Sequence, residues 1–478
     1  MTGTLLSLDE LLSATGGSLL SSAADFSFGS VATDSRKVTA GSLFVPLIGE
    51  KQDGHSYIPQ ALEKGASVVL VSKQSYGRNP GFFAPFFTGK PSATFIGVDN
   101  TLHALQAAAA RYVEKFPGLI KIGITGSSGK TTTKEIALAL LSRKYKVIAN
   151  EGNLNSETGL PLSVFNIREG HEVGLFEMGM NRRDEMKEIS AVLKPRYAVI
   201  TNIGTAHIGI LGSRQAIAEE KSRVFDHFTA SSVAFIPKDD DFAVFLSETA
   251  GRKGGKSCFY GEDSVEGVRF VRNRGLLGTD FTIDGKAVTL SLPGSYNYRN
   301  ALAAICLARE LGLSADDIIE GFSNLRPLFG RCELISDDRR GIRILQDCYN
   351  ANPDSMEKAV DLISSDDSGS HFLVLGDMLE LGEASSDSHR AVISQAVASG
   401  ATVILVGQEM SAALEGMRGQ AGMQDVLCFP DKSDGSILKI AGLLKARMSP
   451  GDAVLIKGSR GMALERLTKC LTDGGEDE

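Results

Sequence analysis

Residues 119–141, LIKIGITGSSGKTTTKEIALALL, constrain this chain more than any other stretch: an apolar strand runs into a tight Gly/Ser turn and then a helix. The turn presents Gly126, Ser127, Ser128, Gly129, Lys130, Thr131 and Thr132 in the order that cradles a nucleotide polyphosphate. Glycines there let backbone N–H groups converge on phosphate oxygens, and the helix N-terminus adds its positive dipole. Lys130 can neutralise the β- and γ-phosphates, and Thr131 can offer its hydroxyl to Mg²⁺. The strict phosphate-loop pattern puts a glycine where this chain has Ile124, whereas Gly123 lies one residue early. The loop is a variant, and the expected ligand is ATP or GTP.

The chain has 478 residues, a length that fits about three domains. A net charge of −8 argues against nucleic acid as a partner, because phosphate backbones are held by basic surfaces. Residues 1–17 lack a basic segment followed by a continuous apolar one, and no run reaches membrane-spanning length. The expectations are no signal peptide, no membrane partner and a cytoplasmic location. Cysteines 258, 306, 332, 348, 428 and 470 are scattered without a CxxC pair, as in a reduced cytosolic protein with neither a disulfide framework nor a zinc site.

The fold class expected is α/β, in three domains. Residues 1–112 form a small N-terminal α/β unit: a helical start over 5–12, then strands at 42–47 and 67–71 around a helix at 57–64. Its phenylalanine-rich stretch 82–87, interrupted by Pro85 and flanked by Gly81 and Gly89, reads as a loop against the core. In residues 113–326, strands at 119–124, 146–149, 173–178, 197–203, 232–236 and 257–260 alternate with helical patterns. That alternation predicts a doubly wound, mostly parallel sheet carrying the phosphate loop. Short strands follow at 268–292, where Asp284-Gly285 predicts a type I′ hairpin; helices are expected at 299–311 and 315–323. After a hinge at 326–330, residues 327–478 form a Rossmann-like α/β unit with strands near 342–346, 371–375, 401–406 and 453–457. The stretch 364–370 reads as a solvated loop and the tail 473–478 as disordered.

Ligands of open parallel sheets collect at the carboxyl ends of strands. Glu177 ends one apolar run, His207 follows another in TNIGTAHIG, and GNLNSETGLP exposes Asn153, Asn155 and Thr158 between glycines. A carboxylate and an imidazole beside a phosphate loop make a site for Mg²⁺ or substrate phosphate. Composition reads Lys221, in AIAEEKSRVF, as a solvated helix lysine, and Arg331 and Asp347 as surface charges. Lys457 ends a buried strand before a Gly-Ser-Arg turn that opens a helix, an arrangement suited to an anion.

With these pieces in order, the chain resembles the Mur ligase family throughout its length. The resemblance rests on TGSSGKTTT at 125–133, GNLNSETGLP at 152–161, FEMGMN at 176–181, TNIGTAHIG at 201–209 and GSYNYRNALAA at 294–304. It implies ATP and Mg²⁺ as cofactors, Asn297 and Asn300 on the adenine side, and metal ligation around Thr131, Glu177 and His207. It also implies a carbamate on Lys221 that joins them in holding the metal, with Lys130, His207 and Lys221 catalytic. Arg331 and Asp347 would reach ATP from a third domain that closes over it. Thr33-Asp34-Ser35-Arg36 resembles the part of the first domain that binds the uridine diphosphate end, which gives Ser35 and Arg36 to the substrate. Within the family, QDCYNANPDSM at 346–356 and GDMLELG at 376–382 are similar to the members that add D-alanyl-D-alanine to UDP-N-acetylmuramoyl-tripeptide, with Cys348 in place of the usual serine. That similarity assigns Tyr349, Asn350, Asn352 and Lys457 to the peptide substrates.

The implied reaction activates the tripeptide carboxylate as an acyl phosphate, which the dipeptide amine attacks. The partners are then small molecules alone, and a monomer suffices. Relatives that add one amino acid, diaminopimelate or lysine, differ at the YNANPDSM segment; folylpolyglutamate-type ligases lack the DSR-bearing first domain. A GTPase switch would need an N-K-x-D motif, which is missing. A non-catalytic precursor-binding protein would not need the phosphate-handling residues.

Overall fold

A computed structural model describes residues 3–49, 52–88, 92–326, 329–367 and 369–472. The acidic tail 473–478, Gly89, and Pro327 and Leu328 of the expected hinge and domain boundary lie outside the described residues.

The first unit is a five-stranded sheet of β1 (Ser18–Ser21), β2 (Ser30–Ala32), β3 (Ser42–Phe44), β4 (Ala66–Ser72) and β5 (Thr94–Val98), in the order β1-β5-β4-β3-β2. Only the β1–β5 pair is antiparallel. Two expectations need correction here. The opening helix is Leu8–Thr15, not 5–12, because Ser7 and Glu10 close a capping box that fixes its start. The phenylalanine stretch is a helix, Pro80–Phe87, not a loop. Asn79 caps it, Pro80 supplies a ready φ at its first position, and Pro85 removes only one N–H from a two-turn element. Packing of Phe86 and Phe87 on Phe95 holds it against the sheet.

Helix Thr101–Val113 leads out of this unit and contributes to a core shared with the second. The expected 112/113 boundary therefore falls at its last residue. Tyr112 at its end donates a hydrogen bond to Ile167 O at 2.6 Å.

The second unit carries β6 (Ile120–Thr125), β7 (Val147–Ala149), β8 (Val173–Glu177), β9 (Tyr197–Ile200), β10 (Val233–Pro237) and β11 (Lys256–Tyr260). They form an all-parallel sheet ordered β11-β10-β9-β6-β8-β7. Both faces are buried, Ile122, Leu175 and Val199 on one and Phe176, Ala198 and Ile200 on the other, as a parallel sheet between helices requires. Strand order reverses beside β6, so the carboxyl ends of β6, β8 and β9 open onto one crevice. A three-stranded antiparallel sheet follows: β12 (Val268–Asn273), β13 (Thr279–Ile283) and β14 (Lys286–Leu290). Asp284 and Gly285 join the last two with φ of 48° and 81°, the backbone a type I′ turn requires. The next helix, Ser295–Glu310, begins four residues ahead of its expected start.

The third unit is a six-stranded sheet of β15 (Glu333–Asp337), β16 (Ile342–Asp347), β17 (His371–Gly376), β18 (Thr402–Val406), β19 (Leu427–Phe429) and β20 (Ala453–Lys457), ordered β15-β16-β20-β17-β18-β19. Only β15 runs antiparallel. The edge strands β15 and β19 were not among the expected elements; each is short or half-polar and takes its conformation from the neighbour it pairs with.

Candidate active site between the second and third units

The crevice at the carboxyl ends of β6, β8 and β9 is capped by the third unit, enclosing a cavity of about 900 Å³. On its floor lies the 126–132 loop. Helix Lys130–Leu141 has no side-chain cap, and its first backbone bond is Thr133 N–H to Gly129 O, at 2.8 Å. The N–H groups of its opening turn therefore face the cavity, where an anion would complete them.

Asn202, just beyond β9, shapes that loop. Its Oδ1 accepts from Ser127 N–H at 3.1 Å and Ser128 N–H at 3.0 Å, and its Nδ2 donates to Ser128 Oγ at 2.7 Å. Gly126 permits the close approach: its φ is +150°, and a Cβ there would stand 1.8 Å from Thr201 Oγ1. Gly126→Ala would add roughly 1–3 kcal/mol of backbone strain on top of that overlap. The expected outcome is loss of nucleotide binding, read by calorimetric titration with ADP, together with a lower melting temperature.

Glu177 closes β8 and is buried. It accepts from Thr131 Oγ1 at 2.5 Å and Asn155 Nδ2 at 2.6 Å. Asn150, absent from the sequence-derived candidates, fixes its backbone: the side chain donates to Glu177 O and accepts from Glu177 N–H, both at 2.9 Å. Lys134, fully buried, supports Asn150 through its carbonyl at 2.6 Å.

His207 also lines the cavity, seven residues beyond the end of β9, which stops at Ile200 and not at 203. Its φ of 65° holds it in a left-handed turn. Burial, with Lys221 and Lys130 nearby, pushes its pKa down to about 4, so at neutral pH the imidazole is uncharged and can ligate a metal.

Lys221 is not the solvated lysine that composition implies. It is 1% exposed, and its Nζ donates to Gly126 O at 3.0 Å from beneath the loop. Lys130 Nζ donates to the same carbonyl at 2.9 Å. Burial and then the Lys130 charge push the Lys221 ammonium well below its ordinary range. The direction of that shift is toward the free amine, the species that adds CO₂. The half-buried Lys130 is likewise pushed down, chiefly by burial.

Asn297 and Asn300 reach the cavity from helix Ser295–Glu310, joined by a 3.0 Å hydrogen bond. A Cβ on Gly129 would meet Asn300 Oδ1 at 2.6 Å, so this pair abuts the phosphate loop.

The third unit contributes Arg331, Asp347, Tyr349, Asn350, Asn352 and Lys457. The Arg331 guanidinium lies 4.0 Å from the centre of the Tyr349 ring. Asp347 and Lys457 are register partners on β16 and β20 and form an ion pair at 2.5 Å, with Lys457 only 1% exposed. Asp347 is therefore not the surface charge its sequence context suggests, and Lys457, whose setting suits an anion, already has that carboxylate as its partner. The Gly-Ser-Arg segment after β20 opens a 3₁₀ turn, Arg460–Met462, before any α-helix. Asn352 caps helix Pro353–Ser364 through Ser355 N–H at 2.9 Å, so that acceptor is already engaged. At the entry to the unit, Tyr296 Oη and Cys332 Sγ lie 2.8 Å apart, and Cys332 has a φ of +49°.

Ser35, Arg36 and Thr158 do not line this cavity. Ser35 donates to Gln60 Oε1 at 2.6 Å, and the exposed Arg36 pairs with Asp34, holding that carboxyl at about 2. Thr158 stands at the start of helix Gly159–Val164 without a side-chain cap bond. Asn153 does line the cavity. Asn202 and Asn150 were missed as functional positions although one lies inside TNIGTAHIG and the other just before GNLNSETGLP; their roles depend on which backbone groups the sheet brings to them.

Among the described residues, no three His, Cys, Asp or Glu side chains gather to hold a metal by themselves. The oxygen donors of Thr131 and Glu177 suit a hard cation that takes its remaining ligands from water and phosphate. No helix among the described residues is long and apolar enough to cross a membrane.

Residues 28–112 match the model of the Mur ligase family catalytic domain, residues 124–308 the Mur ligase middle domain, and residues 330–460 the Mur ligase glutamate ligase domain. The chain is 43% identical to the UDP-N-acetylmuramoyl-tripeptide--D-alanyl-D-alanine ligase of Treponema pallidum, over 98% of this chain and 99% of that protein. It is 36% identical to the Bacillus subtilis enzyme of the same name, over 93% of each. Among solved structures, MurF from Acinetobacter baumannii superposes with a TM-score of 0.84 at 28% identity, covering 99% of both chains. MurF ligase from Thermotoga maritima in complex with ADP superposes with a TM-score of 0.74 at 26% identity, covering 93% of this chain and 97% of that one.

Proposed function

The chain belongs to the Mur ligase family, and we infer from its relatives and its cavity that it is an ATP-dependent ligase joining D-alanyl-D-alanine to UDP-N-acetylmuramoyl-tripeptide. The carrying observation is that Tyr349, Asn350 and Asn352 line one cavity with the phosphate loop. The single-amino-acid and folylpolyglutamate alternatives lose their ground to relatives that carry the dipeptide-adding name over nearly the whole chain.

Joining a carboxylate to an amine in water is uphill, so the carboxylate must first be activated. A tripeptide carboxylate oxygen attacks the γ-phosphorus of ATP, and the bond to the β-phosphate oxygen breaks, giving an acyl phosphate and ADP. The dipeptide amine then attacks the acyl carbon, loses a proton, and expels phosphate. Such transfers depend on charge neutralisation and alignment more than on covalent help. The opening turn of helix Lys130–Leu141 and the Lys130 amine bind the phosphates. In this reading Asn297 and Asn300, which abut the phosphate loop, would hold the adenine side. Arg331 enters from the third unit to complete the nucleotide site, and the neutralised Asp347–Lys457 pair fixes the strand ends beneath it.

Mg²⁺, held by Thr131, Glu177 and His207, would supply further charge neutralisation on the phosphates. A carbamate on Lys221 would place an anion beneath the loop to orient that ion. Residues 1–112 would hold the uridine diphosphate end through Ser35 and Arg36, 113–326 the nucleotide and 327–478 the dipeptide, through Tyr349 and Asn350. Small molecules are its only partners in this reading, with no nucleic acid or membrane, and it works as a cytoplasmic monomer.

Incubation with ATP, D-alanyl-D-alanine and UDP-tripeptides bearing diaminopimelate, lysine or ornithine is expected to yield the pentapeptide by mass spectrometry, with ADP released in equal amount. The dipeptide should be strongly preferred over single amino acids. Equal product from diaminopimelate alone on a UDP-dipeptide would overturn the assignment.

A further inference from the structure

Outside the cavity lining, one carboxylate of the third unit reaches across to the second. Asp354 is the second residue of helix Pro353–Ser364, and its Oδ2 accepts from Thr205 N–H at 2.9 Å, 149 positions away in sequence. The residue before Thr205 must be small for this contact to exist: a Cβ on Gly204 would stand 2.4 Å from Asp354 Oδ2. Gly204 N–H in turn donates to Ser127 Oγ in the phosphate loop at 2.9 Å. The same segment carries His207, and just beyond it the units meet again, where a Cβ on Gly209 would be 2.8 Å from Leu381 O.

A continuous path thus runs from the helix that follows Asn350 and Asn352, through Asp354, Thr205 and Gly204, to Ser127. Its ionic member accepts from a backbone N–H, the stronger kind of hydrogen bond.

The geometry points to Asp354 as a positioning residue: it latches the third unit onto the 201–207 segment, so that the dipeptide-side residues and the phosphate loop share one register. Asp354 touches no reactant in this arrangement and acts through Thr205 and Gly204. The kinetic part of the test rests on the ligase reading above; the exchange part does not.

Asp354→Ala is expected to lower kcat/KM for D-alanyl-D-alanine by about 10- to 100-fold, the scale of a lost charge-assisted hydrogen bond, while KM for ATP shifts less than about threefold. Asp354→Asn keeps an acceptor of the same shape and should recover most of the loss. Gly204→Ala should impair ligation like Asp354→Ala, because its Cβ displaces the carboxylate, and the double variant should be no worse than either single one. Independently of any reaction, hydrogen exchange at the Thr205 amide should quicken in Asp354→Ala, while exchange in helix Lys130–Leu141 stays unchanged. Dipeptide kinetics within twofold of wild type, multiplicative effects of the two substitutions, or an unchanged Thr205 exchange rate would each overturn the latch. A wild-type protein that forms no pentapeptide would instead overturn the ligase reading, and Thr205 exchange would still decide the latch.

Discussion

Lys130→Ala is expected to lower the rate of pentapeptide formation at least a hundredfold, roughly 2.7 kcal/mol of transition-state stabilisation. The Lys130 ammonium stands at the opening of helix Lys130–Leu141, lines the cavity and donates to Gly126 O at 2.9 Å. When phosphates enter, it has a stronger acceptor within reach and moves from a carbonyl dipole to a full anionic charge. The charge that develops on the transferring phosphoryl group is what such a cation stabilises. The substitution opens no apolar core, so the melting temperature should change by only a few degrees. A variant that keeps more than about a tenth of the wild-type rate would show that the 126–132 loop does not handle the transferred phosphate.

Lys221→Ala should cost activity by orders of magnitude for a different reason. Lys221 has no route to the reactants as an ammonium: it is buried beneath the loop, its partner is Gly126 O, and its charge is disfavoured by burial and by Lys130. As a free amine it can add CO₂ and become an anion of the sign needed beside a metal. Formate or acetate should then restore part of the activity of Lys221→Ala, whereas neither should help Lys130→Ala, whose missing group is a cation. Protein equilibrated with ¹³C-bicarbonate should show a carbamate carbon resonance that Lys221→Ala lacks. Near wild-type activity in Lys221→Ala, or no such resonance in the wild type, would overturn the carbamate.

Features legible in the chain beforehand are those set within a few residues. The strand–turn–helix of 119–141, the Asp284-Gly285 turn and the alternation of strands with helices all follow from local φ/ψ preference and hydrophobic period. Glycine at 126 and 129 was legible for the same reason, since a backbone that must turn tightly beside phosphates restricts the residue type directly. Local signals also misled: Pro85 among phenylalanines reads as a break, yet aromatic packing on Phe95 carries a helix through it.

What the sequence by itself determined is the set of elements, the phosphate loop and the motifs that surround it. Which charges are buried, and with what, was decided only by tertiary structure. Lys221 looks like a surface lysine until its helix is packed under the loop, and Asp347 and Lys457, 110 positions apart, become a pair only because β16 and β20 are sheet neighbours in matching register. Asn202 holds the phosphate loop and Asp354 reaches Thr205 through backbone N–H groups, which every non-proline residue carries. A donor common to the whole chain leaves no mark in composition or spacing. Its partner is chosen by the order of strands and the seating of one unit on another, and those depend on burial summed over distant segments.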